Sequence, residues 1–121
     1  ASGSRGEEVV REAKKWSGVR YRLGGATRRG IDCSGLTMMV YKKFGISLPH
    51  SDRAQYRYGK KVSGSPKPGD LVFFNEHGNG ISHVGIYAGN GKVLHASDYY
   101  NKVIESQMKY VKGYVGARRL I

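Results

Sequence analysis

Residues 81–97 constrain the fold more than any other stretch of the chain. Two alternating runs, Ile81-Ser82-His83-Val84-Gly85-Ile86-Tyr87-Ala88 and Lys92-Val93-Leu94-His95-Ala96-Ser97, flank Gly89-Asn90-Gly91. Alternation with a period of two is the pattern of a half-buried strand, and Gly-Asn-Gly between two such runs reads as a hairpin with a three-residue loop. Closing that loop pairs Ala88 with Lys92, which sets Gly85 opposite His95 and His83 opposite Ser97. Val84, Ile86, Leu94 and Ala96 then share one face, the core side, while His83, Gly85 and His95 share the other. In this register the two histidines are diagonal neighbours, roughly 7–8 Å apart at the backbone. Gly85 lacks the side chain that would block the His95 ring.

Further strands follow on the same logic: Pro68-Gly69 opens Asp70–Phe74, and Lys102–Gln107 and Tyr114–Leu120 complete the set. Upstream the period is helical. Residues 6–17 carry Glu7 and Glu8 at the start and Lys14 and Lys15 near the end, an order that suits the helix dipole. Val9, Ala13 and Trp16 give that helix one apolar face. A second helix is expected from Asp32 to Phe44, with Leu36, Met39 and Val40 buried, Lys43-Phe44 at the edge of the stripe, and Gly45 as its stop. Residues 19–31 read as a Gly- and Arg-rich loop, and residues 50–61 as a polar stretch with one short helix around Asp52–Tyr58. Helices first and strands after means α+β, with helices packed on a mostly antiparallel sheet of about five strands. A length of 121 residues suits one core. We therefore expect a flexible tail at residues 1–5 and a single domain over residues 6–121.

Charge narrows the partners. Twenty-one Lys and Arg against nine Asp and Glu give +12, a field that attracts nucleic acid, anionic lipid or acidic wall polymers. The charges are spread (Arg28-Arg29, Lys42-Lys43, Lys60-Lys61, Arg118-Arg119), as a well-solvated exterior also requires. No stretch approaches the roughly 18–20 apolar residues that cross a bilayer, so no membrane span is expected. Ala1-Ser2-Gly3-Ser4-Arg5 has no apolar signal core, which fits either a cytoplasmic chain or one whose export signal has been removed.

The single cysteine, Cys33, excludes an intramolecular disulfide. It is either an inert core residue or one kept for its chemistry. The run Gly30-Ile31-Asp32-Cys33-Ser34-Gly35-Leu36 puts the thiol at a helix start. There, free backbone N–H groups favour the thiolate and can hold an oxyanion. With two imidazoles on one strand face, one can serve as base and the other can orient it, the logic of nucleophile, base and orienter. Two other readings compete: a solvated polar face, and Cys33 with both histidines as zinc ligands. The donor set is adequate for zinc, but neither Cys-x-x-Cys nor His-x-x-x-His spacing is present, so no metal or other cofactor is expected. His50 and His77 read as surface loop residues, and Arg53 and Gln55 as a solvated helix face.

Taken together, these residues resemble the NlpC-type papain-like cysteine peptidases that cut peptidoglycan stem peptides. Six blocks between Val10 and Leu120 carry the resemblance in the family's order: Tyr21-x-x-Gly24-Gly25, Asp32-Cys33-Ser34-Gly35-Leu36, Leu48-Pro49, Pro68-Gly69-Asp70-Leu71-Val72-Phe73-Phe74, His83-Val84-Gly85-Ile86-Tyr87 and His95-Ala96-Ser97. The resemblance implies a papain-like fold with Cys33 as nucleophile, His83 as general base and acid, and His95 as the residue that orients His83. It implies that Tyr21 polarises the scissile carbonyl beside the Cys33 N–H, and that Asp32 and Ser34 line the subsite for the N-terminal side of the stem. Each has a plainer alternative: aromatic packing for Tyr21, an N-cap for Asp32, a first-turn helix residue for Ser34. The bond implied joins γ-D-glutamate to a diamino acid such as meso-diaminopimelate. Secretion or a cell-envelope location is implied with it, and anionic wall polymers are partners that suit the +12 charge; a monomer is the default expectation. Leu23 stands where the family often has Trp, which bears on the shape of the substrate groove. Three other functions stay open: an amidase or acyltransferase on the same fold, a delivered antibacterial toxin, and a basic nucleic-acid-binding module. The last has no recognised binding motif behind it, so no nucleic-acid partner is expected.

Overall fold

The computed structural model describes residues 4–121. Helix α1 (Ser4–Lys14) begins two residues before the sequence suggests, so Ser4 and Arg5 belong to its first turn. Residues 1–3, the rest of the expected tail, lie outside the described residues. Val9, Val10, Ala13 and Trp16 are buried, the apolar face that their spacing implies. Helix α2 (Cys33–Lys42) packs against α1 and across the sheet. Leu36 and Val40 are buried as expected, while Met39 and Phe44 are only partly covered; Thr37 and Tyr41 complete the inner face. The Tyr41 hydroxyl donates to the Gly69 carbonyl, fixing α2 to the turn that precedes the sheet. Between the helices, the segment expected as pure loop contains a small ribbon, β1 (Ala26–Thr27) with β2 (Gly30–Ile31). A single-turn helix, α3 (Asp52–Gln55), follows, shorter than expected.

The main sheet has six strands: β3 (Lys60–Lys61), β4 (Leu71–Phe74), β5 (His83–Gly89), β6 (Lys92–Ser97), β7 (Lys102–Gln107) and β8 (Tyr114–Arg119). Their order is β3-β8-β4-β5-β6-β7, and each neighbouring pair runs antiparallel. The fold is α+β. Asp70, buried at the start of β4, accepts both Nε (2.9 Å) and Nη2 (2.7 Å) of Arg119, pinning β8 to β4.

The hairpin keeps the expected register at Ile86↔Leu94 and Tyr87↔Val93, then slips to Gly89↔Lys92. The expected Ala88–Lys92 pair is therefore not made, because Ala88 is the extra residue of a bulge. The turn is formed by Asn90 (φ 54°) and Gly91 (φ 74°) alone. Two positive φ values match the right-handed twist of the strands, and a looser three-residue loop does not. Val84, Ile86, Leu94 and Ala96 do pack into the core that α1 and α2 cover. On the opposite face a smaller apolar cluster gathers Val72, Phe74, Val93 and Ala117.

Candidate active site

The site lies at the start of β5. Cys33 packs against the helix-side core, and the His83 ring tilts against Phe74 of the smaller cluster, with centroids 5.9 Å apart. Asp32 sets up the first turn of α2. Its Oδ1 accepts the Gly35 N–H (2.8 Å) and its Oδ2 accepts the Gly24 N–H (2.8 Å). The His50 ring completes the set, Nε2 to Oδ1 at 2.7 Å; the carboxylate has no proton to give, so Nε2–H is the donor. One buried carboxylate thus ties together the Gly24-Gly25 turn, the nucleophile helix and the segment before α3. Asp32 is the N-cap of α2, with both oxygens engaged by the protein. His50, expected as a plain surface residue, has a third of its side chain in solvent and the rest committed to this clamp. Gly35 is required here, since a Cβ would overlap the Gly25 carbonyl oxygen.

The helix face expected to be solvated is so at Arg53 but not at Gln55. Gln55 is fully buried, with Nε2 donating to the carbonyls of Ser34 (3.0 Å) and Pro49 (2.8 Å) and Oε1 accepting the Thr37 hydroxyl (2.5 Å). Ser34 is buried as well, its carbonyl accepting the Gln55 Nε2–H, with the Thr37 hydroxyl oxygen 3.0 Å away. Arg53 stays exposed but donates to the carbonyls of Ile81 (3.0 Å) and Asn79 (2.9 Å), steadying the approach to β5.

The two histidines meet. His83 Nε2 is 2.7 Å from His95 Nδ1, with ring centroids 4.9 Å apart and planes at 79°. A third member was missed: His95 Nε2 lies 2.9 Å from Ser106 Oγ. The signal for it was present, since the β6–β7 register pairs Val93 with Ser106 and makes Ser106 the diagonal neighbour of His95. Gly85 serves as expected, because a Cβ there would lie 3.1 Å from His95 Cβ and 2.5 Å from a Val93 methyl. With Nε2 engaged, Nδ1 is the His83 ring atom left free of this chain. Burial pushes His83 down to about 4. Burial also pushes His95 down to about 3, helped by the His83 charge and opposed by Asp98. Both rings are neutral near pH 7, so each carries one N–H and one lone pair, and His95, bonded on both sides, donates at one nitrogen and accepts at the other.

Cys33 is partly buried. Burial pushes its thiol up to about 12, outweighing the hydrogen bonds from the Val84 and Ser34 backbones, while Asp52 and Asp32 raise it further. The helix-end position alone favours a thiolate, yet desolvation wins and the resting group is a neutral thiol. Tyr21 is held through its N–H to the Asn101 carbonyl (2.9 Å). Burial pushes its phenol up to about 12, with the charges of Cys33, Asp98, Asp32 and Glu76 acting the same way. It is a hydroxyl donor at neutral pH, within electrostatic reach of the thiol. His77 is exposed, as expected of a surface loop residue. A trough of about 640 Å³ opens beside the dyad, and its lining takes in His83, His95 and Ser106 but not Cys33. Among the described residues no three His, Cys, Asp or Glu side chains converge as a metal site requires.

Comparison with known proteins gives a consistent result. A model described as the NlpC/P60 family matches residues 18–119. The chain is 46% identical over 117 residues to an Escherichia coli protein named murein DD-endopeptidase MepS/murein LD-carboxypeptidase, covering 93% of this chain and 62% of the relative. It is 50% identical over 91 residues to the probable endopeptidase p60 of Listeria monocytogenes, covering 74% of this chain and 19% of the relative. The peptidoglycan hydrolase RipB of Mycobacterium tuberculosis superposes with a TM-score of 0.86 at 31% identity, covering 99% of this chain and 67% of that one. The chain thus spans from about a fifth to about three fifths of the two curated relatives' lengths.

Proposed function

The chain belongs to the NlpC/P60 family, whose fold is papain-like, and from that premise we propose that it is a peptidoglycan hydrolase that cuts stem peptides by cysteine chemistry. The observation that carries the reading is the hydrogen-bonded chain Ser106–His95–His83 (2.9 and 2.7 Å) beside a thiol that faces the Val84 backbone. When His95 donates Nε2–H to Ser106 and His83 donates Nε2–H to His95, His83 Nδ1 is left with a free lone pair. That atom takes the Cys33 proton as the sulfur attacks the scissile carbonyl carbon. The oxyanion is held by the Cys33 N–H and the Tyr21 hydroxyl. His83 passes its proton to the leaving amine as the C–N bond breaks, and an acyl-enzyme thioester remains. A water molecule deprotonated by His83 then attacks the thioester, releasing the acid and restoring the thiol. His95 keeps the His83 ring and tautomer in place. Asp32 holds the nucleophile's helix start in position, and Ser34 contributes from the same turn.

The bond we propose joins γ-D-glutamate to a diamino acid. One finding favours a second reading: the E. coli relative, 46% identical over 93% of this chain, is named for DD-endopeptidase and LD-carboxypeptidase activities. Action in the cell envelope or outside the cell follows from the substrate, and the +12 charge suits an anionic wall. Among the described residues no helix is long and apolar enough to cross a membrane.

The test is mass spectrometry of defined muropeptides, monomeric and cross-linked, incubated with wild type, Cys33→Ala, His83→Ala and His95→Ala. Cleavage between γ-D-glutamate and the diamino acid by wild type is expected, with partial activity in His95→Ala, almost none in His83→Ala and none in Cys33→Ala. Cleavage of the D-alanyl cross-link instead would establish the second reading. Full activity in Cys33→Ala would refute both. Transfer of the acyl group to an added amine in preference to water would assign the same thioester to an acyltransferase.

A further inference from the structure

Resting on the peptidoglycan reading, we propose that the trough beside the two histidines is a saccharide subsite. In it, Tyr99, Tyr100 and Tyr110 stack on the N-acetylhexosamine rings of the glycan strand that carries the stem peptide.

The first observation is where these rings stand. Tyr99 and Tyr100 occupy the turn between β6 and β7, with 82% and 58% of their surface in water, and Tyr110 is 76% exposed on the 3-10 turn Met108–Tyr110. The turn is built rather than loose: Ser97 pairs with Lys102, Ser97 Oγ accepts the Tyr100 N–H at 3.1 Å, and Asn101 takes a positive φ of 61°. The two rings pack edge to face, centroids 4.8 Å apart at 86°. Folding gains little from large rings left in solvent, and such a patch at a cleft marks a contact surface.

The second is continuity. All three tyrosines line the same trough of about 640 Å³ as His83 and His95. That volume lies within the range of ligand pockets.

The third is charge, and it selects the occupant. The charged side chains lining the trough are Glu76, Asp98, Glu105 and a single Lys112, on a chain whose net charge is +12. The most basic thing about this protein is not what faces the trough. A phosphate-rich polymer is repelled locally. A neutral pyranose is suited twice over: its C–H face lies on an aromatic ring, and its hydroxyls and amide donate to carboxylates.

The experiment has two arms. First, the intact protein is titrated with the tetrasaccharide of N-acetylglucosamine while the tyrosine ring resonances are followed by NMR. We expect those of Tyr99, Tyr100 and Tyr110 to move saturably. Second, kcat/KM is measured for a glycan-linked muropeptide and for the same stem peptide freed of sugar. In the Tyr99→Ala/Tyr100→Ala variant the ratio of the two is expected to fall about tenfold. Unmoved ring resonances overturn the proposal, and so does a ratio equal to that of wild type. Saturable shifts given by a basic peptide and not by the sugar would assign the patch to a cationic partner and overturn it too. If wild type cuts neither substrate, the peptidoglycan reading fails instead, and the sugar titration, which needs no turnover, still decides the subsite.

Discussion

Replacing Gln55 with leucine removes three hydrogen bonds from a side chain with no exposed surface. Leucine occupies similar space, so the loss is polar rather than a cavity. The Thr37 hydroxyl, released from Gln55 Oε1, turns its proton to the Ser34 carbonyl 3.0 Å away, which leaves those two groups partnered. The Pro49 carbonyl loses the amide that stood 2.8 Å away. Two neutral bonds at about 1 kcal/mol each and one orphaned carbonyl at about 1–3 kcal/mol sum to about 3–5 kcal/mol. The apolar gain of leucine offsets part of this, for a net loss of about 3 kcal/mol. For a domain of this size, with an unfolding entropy near 2 cal/mol/K per residue, Tm should drop by about 12 °C. Thermal melts and urea titrations read it, with the midpoint moving and the slope unchanged. A drop of less than about 3 °C would refute the reasoning. So would strict additivity with Thr37→Val, since groups that share a bond should couple by about 1 kcal/mol.

Both histidines titrate lower in the folded protein (about 4 and about 3) than the ordinary 6.5. The unfolded chain therefore binds more protons between pH 6.5 and 4, and stability should fall as pH drops through that window, by up to about 1.4 kcal/mol per pH unit per histidine. Urea midpoints across that range test it; a flat profile, or a slope that His83→Gln leaves unchanged, would refute it. Gly35→Ala should cost at least about 2 kcal/mol, because the new methyl meets backbone at Gly25 and stands 2.8 Å from Asp32 Oδ1; a wild-type melting curve would contradict that. His50→Ala should cost about 1 kcal/mol, given a partly exposed charged hydrogen bond, and His50→Gln should recover part of it in chemical denaturation. Equal loss in both variants would show that ring packing, and not the bond to Asp32, is what matters.

The hairpin shows how far the sequence carried. Alternation and the two glycines around Asn90 gave the faces of Val84, Gly85, Ile86, Leu94, His95 and Ala96 and brought His83 beside His95. The bulge at Ala88 escaped notice because it alters only the residues next to the turn. Strands β1, β2 and β3 are two residues each, too short to show a period, and exist because a partner lies alongside. Gln55 was misjudged because, on a single helical turn, polarity says nothing about which side faces in; Arg53 and His50 are exposed as expected, and only their hydrogen bonds went unseen. Gln55 faces carbonyls that belong to Ser34 and Pro49, and only the folded chain brings those there. The thiol was misjudged more instructively. The helix start was read correctly, but its effect on ionisation is smaller than that of burial, which sequence position cannot weigh.

That burial bears on how long such a protein lasts. Peroxide, disulfides and alkylating agents attack the thiolate. With burial pushing the Cys33 thiol up to about 12, the thiolate is a small minority at neutral pH. Reagents that exhaust exposed, acidic cysteines should react slowly here. The sulfur stays chemically quiet in an oxidising medium and becomes a nucleophile only when a carbonyl is docked and His83 can take the proton in the same step. Shelf life and reactivity are thereby separated: the first is set by the desolvated resting state, the second by the encounter with substrate.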